Sequence, residues 1–257
     1  MMKRTVLLLM LFSFTVCMGE TLRIAVAANV SYAIGELKRT FENEHPKTTV
    51  EVILGSSGKL TAQIKHGAPF DLFMSANMKY PEVLYEEGIA MEKPVIYAQG
   101  VLVYLSVKPQ DFSKGVMLLK EKKNQKIAIA NPKTAPYGIA TVEALKNAKV
   151  YEEIKNKFVY GESVSQTVTY ATKAADIGVV AKSSLFSPQM KQYKQGKNWH
   201  DVNSTLYRPI SQGMVILRHG KKNKNAKAFY QFMLSQEAQN ILKKYGYGFA
   251  YAMVKDE

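Results

Sequence analysis

At 257 residues, with 47% hydrophobic and 22% charged content, the chain is long enough for one large domain or two lobes with separate cores and too apolar for a disordered polymer. A formal charge of +14 admits nucleic acid, an acidic membrane surface or an anionic small ligand as partner. The lysines scatter, clustering only at Lys120, Lys122, Lys123 and Lys126 and at Lys221, Lys222 and Lys224; with no recognised nucleic-acid module beside them, they read as a solvated surface that at most steers anions.

The chain opens with Lys3 and Arg4, runs apolar from Val6 to Val16 and then offers small residues at Cys17 and Gly19, the pattern of a secretory signal cleaved after Gly19. The apolar run is shorter than the ~20 residues a membrane-spanning helix needs, so residues 1–19 read as a signal peptide and the mature chain as a soluble periplasmic protein. Lipidation at Cys17 is the competing reading, disfavoured by the bulky Val16 before it. Cleavage removes the one cysteine, and with it disulfides, thiolate catalysis and cysteine metal sites.

Beyond the signal, short apolar runs alternate with amphipathic ones, the signature of α/β architecture with largely parallel sheets. Strands are predicted at Leu22 to Ala27, Thr49 to Leu54 and Asp71 to Met74, with helices at Ser31 to Glu44 and Lys59 to His66 between them. A second unit runs through strands at Val101 to Val107, Ile127 to Ala130, Phe158 to Tyr160 and Ile177 to Val180, with helices at Ile139 to Asn147 and Val164 to Thr172. After a polar stretch from Gln189 to Asn203, a strand at Met214 to Leu217 and helices at Ala226 to Leu234 and Gln236 to Tyr245 finish the chain. The expected fold is two lobes, residues 20–98 with 206–257 and residues 99–205, crossing near Tyr97 to Gly100 and near Ser204 to Gln212. No internal repeat is visible.

Ligands in open α/β sheets sit outside the carboxyl ends of strands, where the next helices begin. Three such junctions are rich in small polar residues: Ala27 to Ser31, Leu54 to Lys59 and Asn131 to Gly138. Asn29 or Ser31 is a plausible N-cap for the first helix. Each junction offers unpaired backbone N–H groups at the positive end of a helix dipole, an anion site that needs no charged side chain. Any one junction alone reads first as an ordinary helix cap, the default role of such residues at helix starts.

Enzyme motifs fit poorly. Gly55-Ser56-Ser57-Gly58 lacks the spacing of a nucleophile elbow, and Gly58-Lys59-Leu60 lacks the upstream glycine and the hydroxyl of a P-loop. His45, His66, His200 and His219 stand far apart, without an H-x-x-x-H pair for zinc, and each reads as a surface or cap residue. A Ser-dependent α/β hydrolase using Ser57 would need a histidine beside it, and His66 lies about two turns along the following helix.

Together these segments resemble the periplasmic molybdate-binding proteins of ABC importers, from about Leu22 to Tyr247. The resemblance rests on Ala27-Ala28-Asn29, on Gly55-Ser56-Ser57-Gly58-Lys59-Leu60 with Gln63-Ile64, and on the run from Gly67 to Ala76, whose Gly-Ala-Pro-x-Asp-Leu-Phe is its most specific part. Asn131-Pro132, Ala135 to Gly138, Gly178-Val179-Val180 and Tyr245-Gly246-Tyr247 complete it. It implies a two-lobed type II solute-binding fold, no enzyme activity, no cofactor, and a hinged cleft that grips molybdate or tungstate without a free metal cation. By position it implies ligand contacts from Asn29, from the hydroxyl and N–H of Ser57, and from the N–H groups of Tyr137 and Val164. The family's ligand tyrosine aligns with Ala181, which has no donor; the Tyr137 phenol is the candidate replacement. Glu162 leaves open a carboxylate-assisted mode, although capping the helix at Val164 is its plainer role. The implied partner is a cognate ABC permease in the inner membrane, served by a monomer. Sulfate or phosphate as ligand, and an adhesion or stress protein with no small ligand, stay open.

Overall fold

Strands buried on both faces of a parallel sheet need continuous apolar runs, and the chain supplies them twice. In the computed structural model, which describes residues 20–248, the first such run is β1 (Glu20–Ala27), followed by a 3-10 turn at Ala28–Tyr32 and α1 (Ile34–Glu44). Then come β2 (Thr48–Gly55), α2 (Ser57–Lys65), β3 (Leu72–Met74), α3 (Lys79–Glu86) and β4 (Val95–Gly100). The chain passes into β5 (Leu102–Leu105), β6 (Ile127–Ala130), α4 (Pro136–Asn147), α5 (Tyr151–Ile154), β7 (Phe158–Gly161), α6 (Val164–Lys173), β8 (Ile177–Ala181) and β9 (Trp199–Asp201). It returns through β10 (Ile210–Ile216) to α7 (Lys224–Leu234) and α8 (Gln236–Lys244).

These strands form two five-stranded sheets, ordered β2-β1-β3-β10-β4 and β7-β6-β8-β5-β9. In each, three strands run parallel and a strand arriving from the far side of a crossing pairs antiparallel: β10 against β3 and β4, β5 against β8 and β9. Both faces of both sheets are covered by helices, giving four apolar clusters. One cluster joins Leu22, Ile24 and Val26 to Phe41, Phe229 and Met233, and its counterpart in the other lobe joins Leu102 and Ile129 to Leu118, Leu145 and Ile154. The smaller two gather around Leu60, Phe73 and Leu84 and around Val103, Val168 and Val180. The result is a two-lobed α/β fold, with the chain changing sheets between Gly100 and Leu102 and again between Asp201 and Ile210.

Several details depart from the sequence reading. α3, α5, β4 and β9 were not anticipated: α3 and α5 are short, β4 lies in the stretch read as a crossing, and β9 lies in the polar stretch. β10 begins at Ile210, not Met214, because its first residues pair with β4 through a bulge at Gln212 and Gly213 that breaks the alternation used to find strands. The first helix begins at Ile34, and its N-cap is Ala33 with no side-chain cap bond. The expected caps are otherwise engaged: the Asn29 amide donates to Gln212 and Tyr247, and the Ser31 hydroxyl meets Ser165. The signal peptide and Cys17 lie outside the described residues.

Candidate functional site

The two sheets are built alike, and their likeness places the site. The junction after β1, carrying Ala28 and Asn29, corresponds to the junction after β6, carrying Ala135, Pro136 and Tyr137; α2 after β2 corresponds to α6 after β7. Asn29 and Tyr137 are therefore topological counterparts, as are Ser57 and Val164. The lobes face each other by these ends. All four residues line one cavity, together with Ala27, Ala28, Ser56, Ala76, Ala135 and Pro136. Its volume is about 10 Å3, room for about one water.

Local chemistry explains why each junction can face a ligand. Ser57 is the first residue of α2, Tyr137 the second of α4 and Val164 the first of α6. N–H groups of a first turn have no partner inside the helix. The three helices aim their positive ends at the same small volume. Gly138 lets α4 start hard against the end of β6, since a Cβ there would collide with the Ala130 carbonyl. α6 is capped by Ser163, whose hydroxyl accepts from the Gln166 N–H, and not by Glu162. The Glu162 carboxylate instead takes Lys59 from the other lobe at 2.6 Å. Among the described residues there is no group of three His, Cys, Asp or Glu that could hold a metal ion.

Two hydroxyls stand in the cavity wall. The Ser57 oxygen accepts from the Ala76 N–H at 2.9 Å, which leaves its own proton free to donate. Ser56, which the sequence reading quoted in the Gly55-Ser56-Ser57-Gly58 run but not among the ligand contacts, has a buried hydroxyl oxygen without a partner. The resemblance assigned the contact to Ser57 alone, and no local signal separated the two serines. Asn29 is fully buried: its amide donates to Gln212 Oε1 at 2.8 Å and to the Tyr247 hydroxyl oxygen at 3.0 Å, while its Oδ1 has no partner. Ala181 is buried and is not among the lining residues.

The Tyr137 ring lines the cavity, but its hydroxyl reaches the crossing strands. There it lies against Gly100, where a Cβ would strike it, and accepts from Gln212 Nε2 at 3.3 Å. Burial pushes the phenols of Tyr97, Tyr137 and Tyr247 up, so all three keep their protons at neutral pH.

The cleft is shut by contacts between lobes. The Gly58 N–H donates to the Thr134 carbonyl at 2.9 Å, the Ser165 hydroxyl to the Ala28 carbonyl at 2.7 Å, and the Ser183 hydroxyl to the Asn29 carbonyl at 2.9 Å. Asp71, in the Gly-Ala-Pro-x-Asp-Leu-Phe run, is away from this cleft: it accepts from the Arg23 N–H and the Asn223 amide and meets His219 Nδ1 at 2.9 Å, tying β1 to the start of α7. His219 is thus a hydrogen-bond partner of Asp71 as well as a surface residue. A larger groove of about 820 Å3 lies beside the second sheet, lined by Tyr104, Phe112, His200 and Tyr207 among others. Among the described residues no α-helix begins in its lining, whereas α2, α4 and α6 all begin at the small cavity.

Comparison with known proteins agrees with this geometry. Residues 22–248 match the family described as bacterial extracellular solute-binding protein. The chain is 38% identical over 232 residues to the molybdate-binding protein ModA of Rhodobacter capsulatus, covering 89% of this chain and 88% of that one. It is 36% identical over 228 residues to the molybdate-binding protein ModA of Azotobacter vinelandii, covering 88% and 89%. Among solved structures, the periplasmic molybdate-binding protein of Azotobacter vinelandii superposes with a TM-score of 0.82 at 31% identity, over 89% of this chain and 99% of that one.

Proposed function

This chain belongs to the bacterial extracellular solute-binding protein family, and from that premise we propose that it captures molybdate, and tungstate with it, for delivery to an ABC importer. The observation that carries the reading is the convergence of three helix N-termini and the Ser57 hydroxyl on one cavity without a cationic side chain in its wall. A tetrahedral dianion has four acceptor oxygens, and the N–H groups of Ser57, Tyr137 and Val164 with the Ser57 hydroxyl answer them with donors alone. Asn29 also lines the cavity, with its Oδ1 as the unpartnered end of its side chain. Neutral donors hold a dianion through many short bonds and release it without breaking an ion pair.

Because the closed cavity holds about one water, the oxyanion enters when residues 99–205 swing away from residues 20–98 and 206–257 about the two crossings, and the lobes close less tightly with it in place. The same reading makes residues 1–19 a signal cleaved after Gly19, the periplasm the site of action, an inner-membrane permease the recipient and a monomer the working form. It also makes the chain a binding protein and not an enzyme, in keeping with the solute-binding family whose model it matches.

Calorimetry on the chain lacking residues 1–19, with molybdate, tungstate, sulfate and phosphate in turn, tests this. The expected result is one-to-one binding of molybdate and tungstate, both tighter than sulfate and phosphate, with a smaller radius of gyration in small-angle scattering once molybdate saturates the protein. Tighter binding of sulfate or phosphate would reassign the ligand, and no heat with any of the four would overturn the reading.

A further inference from the structure

Beneath the cavity a buried amide joins ligand-facing residues of both lobes. Gln212 is fully buried on the return strand β10, at the bulge where that strand pairs with β4. Its Oε1 accepts from Asn29 Nδ2 at 2.8 Å and from the Tyr97 hydroxyl at 2.9 Å, and its Nε2 donates to the Tyr137 hydroxyl at 3.3 Å. Asn29 comes from one lobe and Tyr137 from the other, and Gln212 sits on a strand that carries the chain between them. Nothing in the ligand contacts proposed above requires this residue.

The donor count around it is informative. Both protons of Asn29 Nδ2 are engaged, by Gln212 and Tyr247, and the end left over is Oδ1, buried and unpartnered. In that orientation Asn29 turns an acceptor away from Gln212, and an acceptor opposes a fully deprotonated oxyanion. A buried carbonyl without a donor also costs about 1–3 kcal/mol. Reversing both amides together removes the conflict with the anion, leaving an NH2 group unpartnered only until the anion arrives. Gln212 Nε2 then donates to Asn29 Oδ1 and to the Tyr97 oxygen, the Tyr97 proton turns to the Ser75 carbonyl 3.4 Å away, and the Tyr137 hydroxyl donates to Gln212 Oε1. The Tyr247 proton, which goes to the Asn29 backbone carbonyl at 2.7 Å, is then shared between the two Asn29 oxygens. The end of Asn29 left over is now an NH2 group, the donor an oxyanion needs.

We propose that Gln212 is a positioning residue for oxyanion capture: it sets which end of the Asn29 amide is left for the ligand and couples that choice to the Tyr137 hydroxyl in the opposite lobe. The inference rests on the oxyanion reading of the cavity. It assigns Gln212 no contact with the ligand. A serine in place of Asn29 carries a hydroxyl that rotates to suit and needs no orienting, so the effect of Gln212 should vanish in that background.

The test is a double-mutant cycle on the chain lacking residues 1–19, read by calorimetry with molybdate, tungstate, sulfate and phosphate. With the anion the wild type binds best, Gln212→Met should weaken binding about tenfold in the Asn29 protein and about twofold or less in the Asn29→Ser protein, a coupling inside the range for residues of one hydrogen-bond network. If Gln212→Met does not fold, as judged by its thermal melt, Gln212→Glu takes its place, titrated at a pH where its carboxylate is ionised and can only accept; it then pins Asn29 Nδ2 toward position 212, and its added charge acts equally in both backgrounds and cancels in the cycle. Equal losses in the two backgrounds would make Gln212 a structural residue only and overturn the inference while leaving anion capture standing. A wild type that binds none of the four anions overturns both.

Discussion

The contacts at the floor and at the rim of the cleft differ in burial, and the difference shows where closure is decided. At the floor, Gln212, Asn29, Tyr97 and Tyr247 of one lobe are buried and bonded to one another, and Gln212 reaches the buried Tyr137 of the other. At the rim, Lys59 and Glu162 pair at 2.6 Å, but both side chains are more than half exposed. The shorter, charged contact is the weaker contributor, because water screens an exposed pair to about 0–1 kcal/mol whereas a buried polar group deprived of its partner pays its full desolvation penalty. Between them lies the ligand layer, where Ser57 and the helix N-termini face the cavity.

Removing the donor that faces the ligand should break this ordering most visibly. Ser57→Ala takes away a hydroxyl aimed at a charged acceptor in a desolvated cleft and should weaken oxyanion binding by about 1–3 kcal/mol; calorimetry reads it directly. Next in size is Gly58→Ala. A Cβ there would stand 3.0 Å from the Thr134 Cα and carbonyl oxygen in the opposite lobe and 2.7 Å from the Tyr80 hydroxyl, so closure should be impeded and affinity fall by about tenfold, or ~1.4 kcal/mol. Alanine is the better helix former by about 1 kcal/mol, so the thermal midpoint of the unliganded protein should not fall in proportion, which separates impeded closure from misfolding.

Tyr137→Phe sharpens the comparison at the floor. It removes a neutral hydrogen bond to Gln212 and should cost about 0.5–1.5 kcal/mol of binding or stability, less than the loss of a direct donor to the ligand; a loss as large as that of Ser57→Ala would mean that the phenol addresses the anion itself. The smallest effect belongs to the rim. Lys59→Ala should change affinity by about fivefold at most, the ceiling for an exposed pair, and the change should shrink further as salt is added. A large, salt-independent loss in titrations at two ionic strengths would reverse the ranking of floor and rim.

Asn29, Ser57 and Tyr137 lie in the three strand-to-helix junctions whose local composition stood out in the sequence, whereas Val164 was named only through the family resemblance; the fold brings all four to one cavity. The strands of the two parallel units were legible for a similar reason: Ile127–Ala130 and Ile177–Ala181 are buried along their whole length and read as uninterrupted apolar runs. Asn29 was misread as a cap and Glu162 as a dipole partner, since capping chemistry within a few residues looks identical whether or not a distant group claims the side chain. Gln212 lies 183 residues from Asn29, on a strand whose bulge hides its periodicity, and carried no local signal.

What the sequence determined by itself is therefore the part governed by nearest-neighbour physics: apolar runs that must be buried, small polar residues that must start helices, and the number of units that alternate them. The tertiary structure decided which of those junctions face one another, which hydroxyl keeps a free proton and which amide end is left unpaired. Those outcomes depend on hydrogen bonds closed between distant parts of the chain, 19 residues apart for Ala76 and Ser57 and 183 for Asn29 and Gln212, and a donor's free valence is known only once every competing acceptor has been placed beside it.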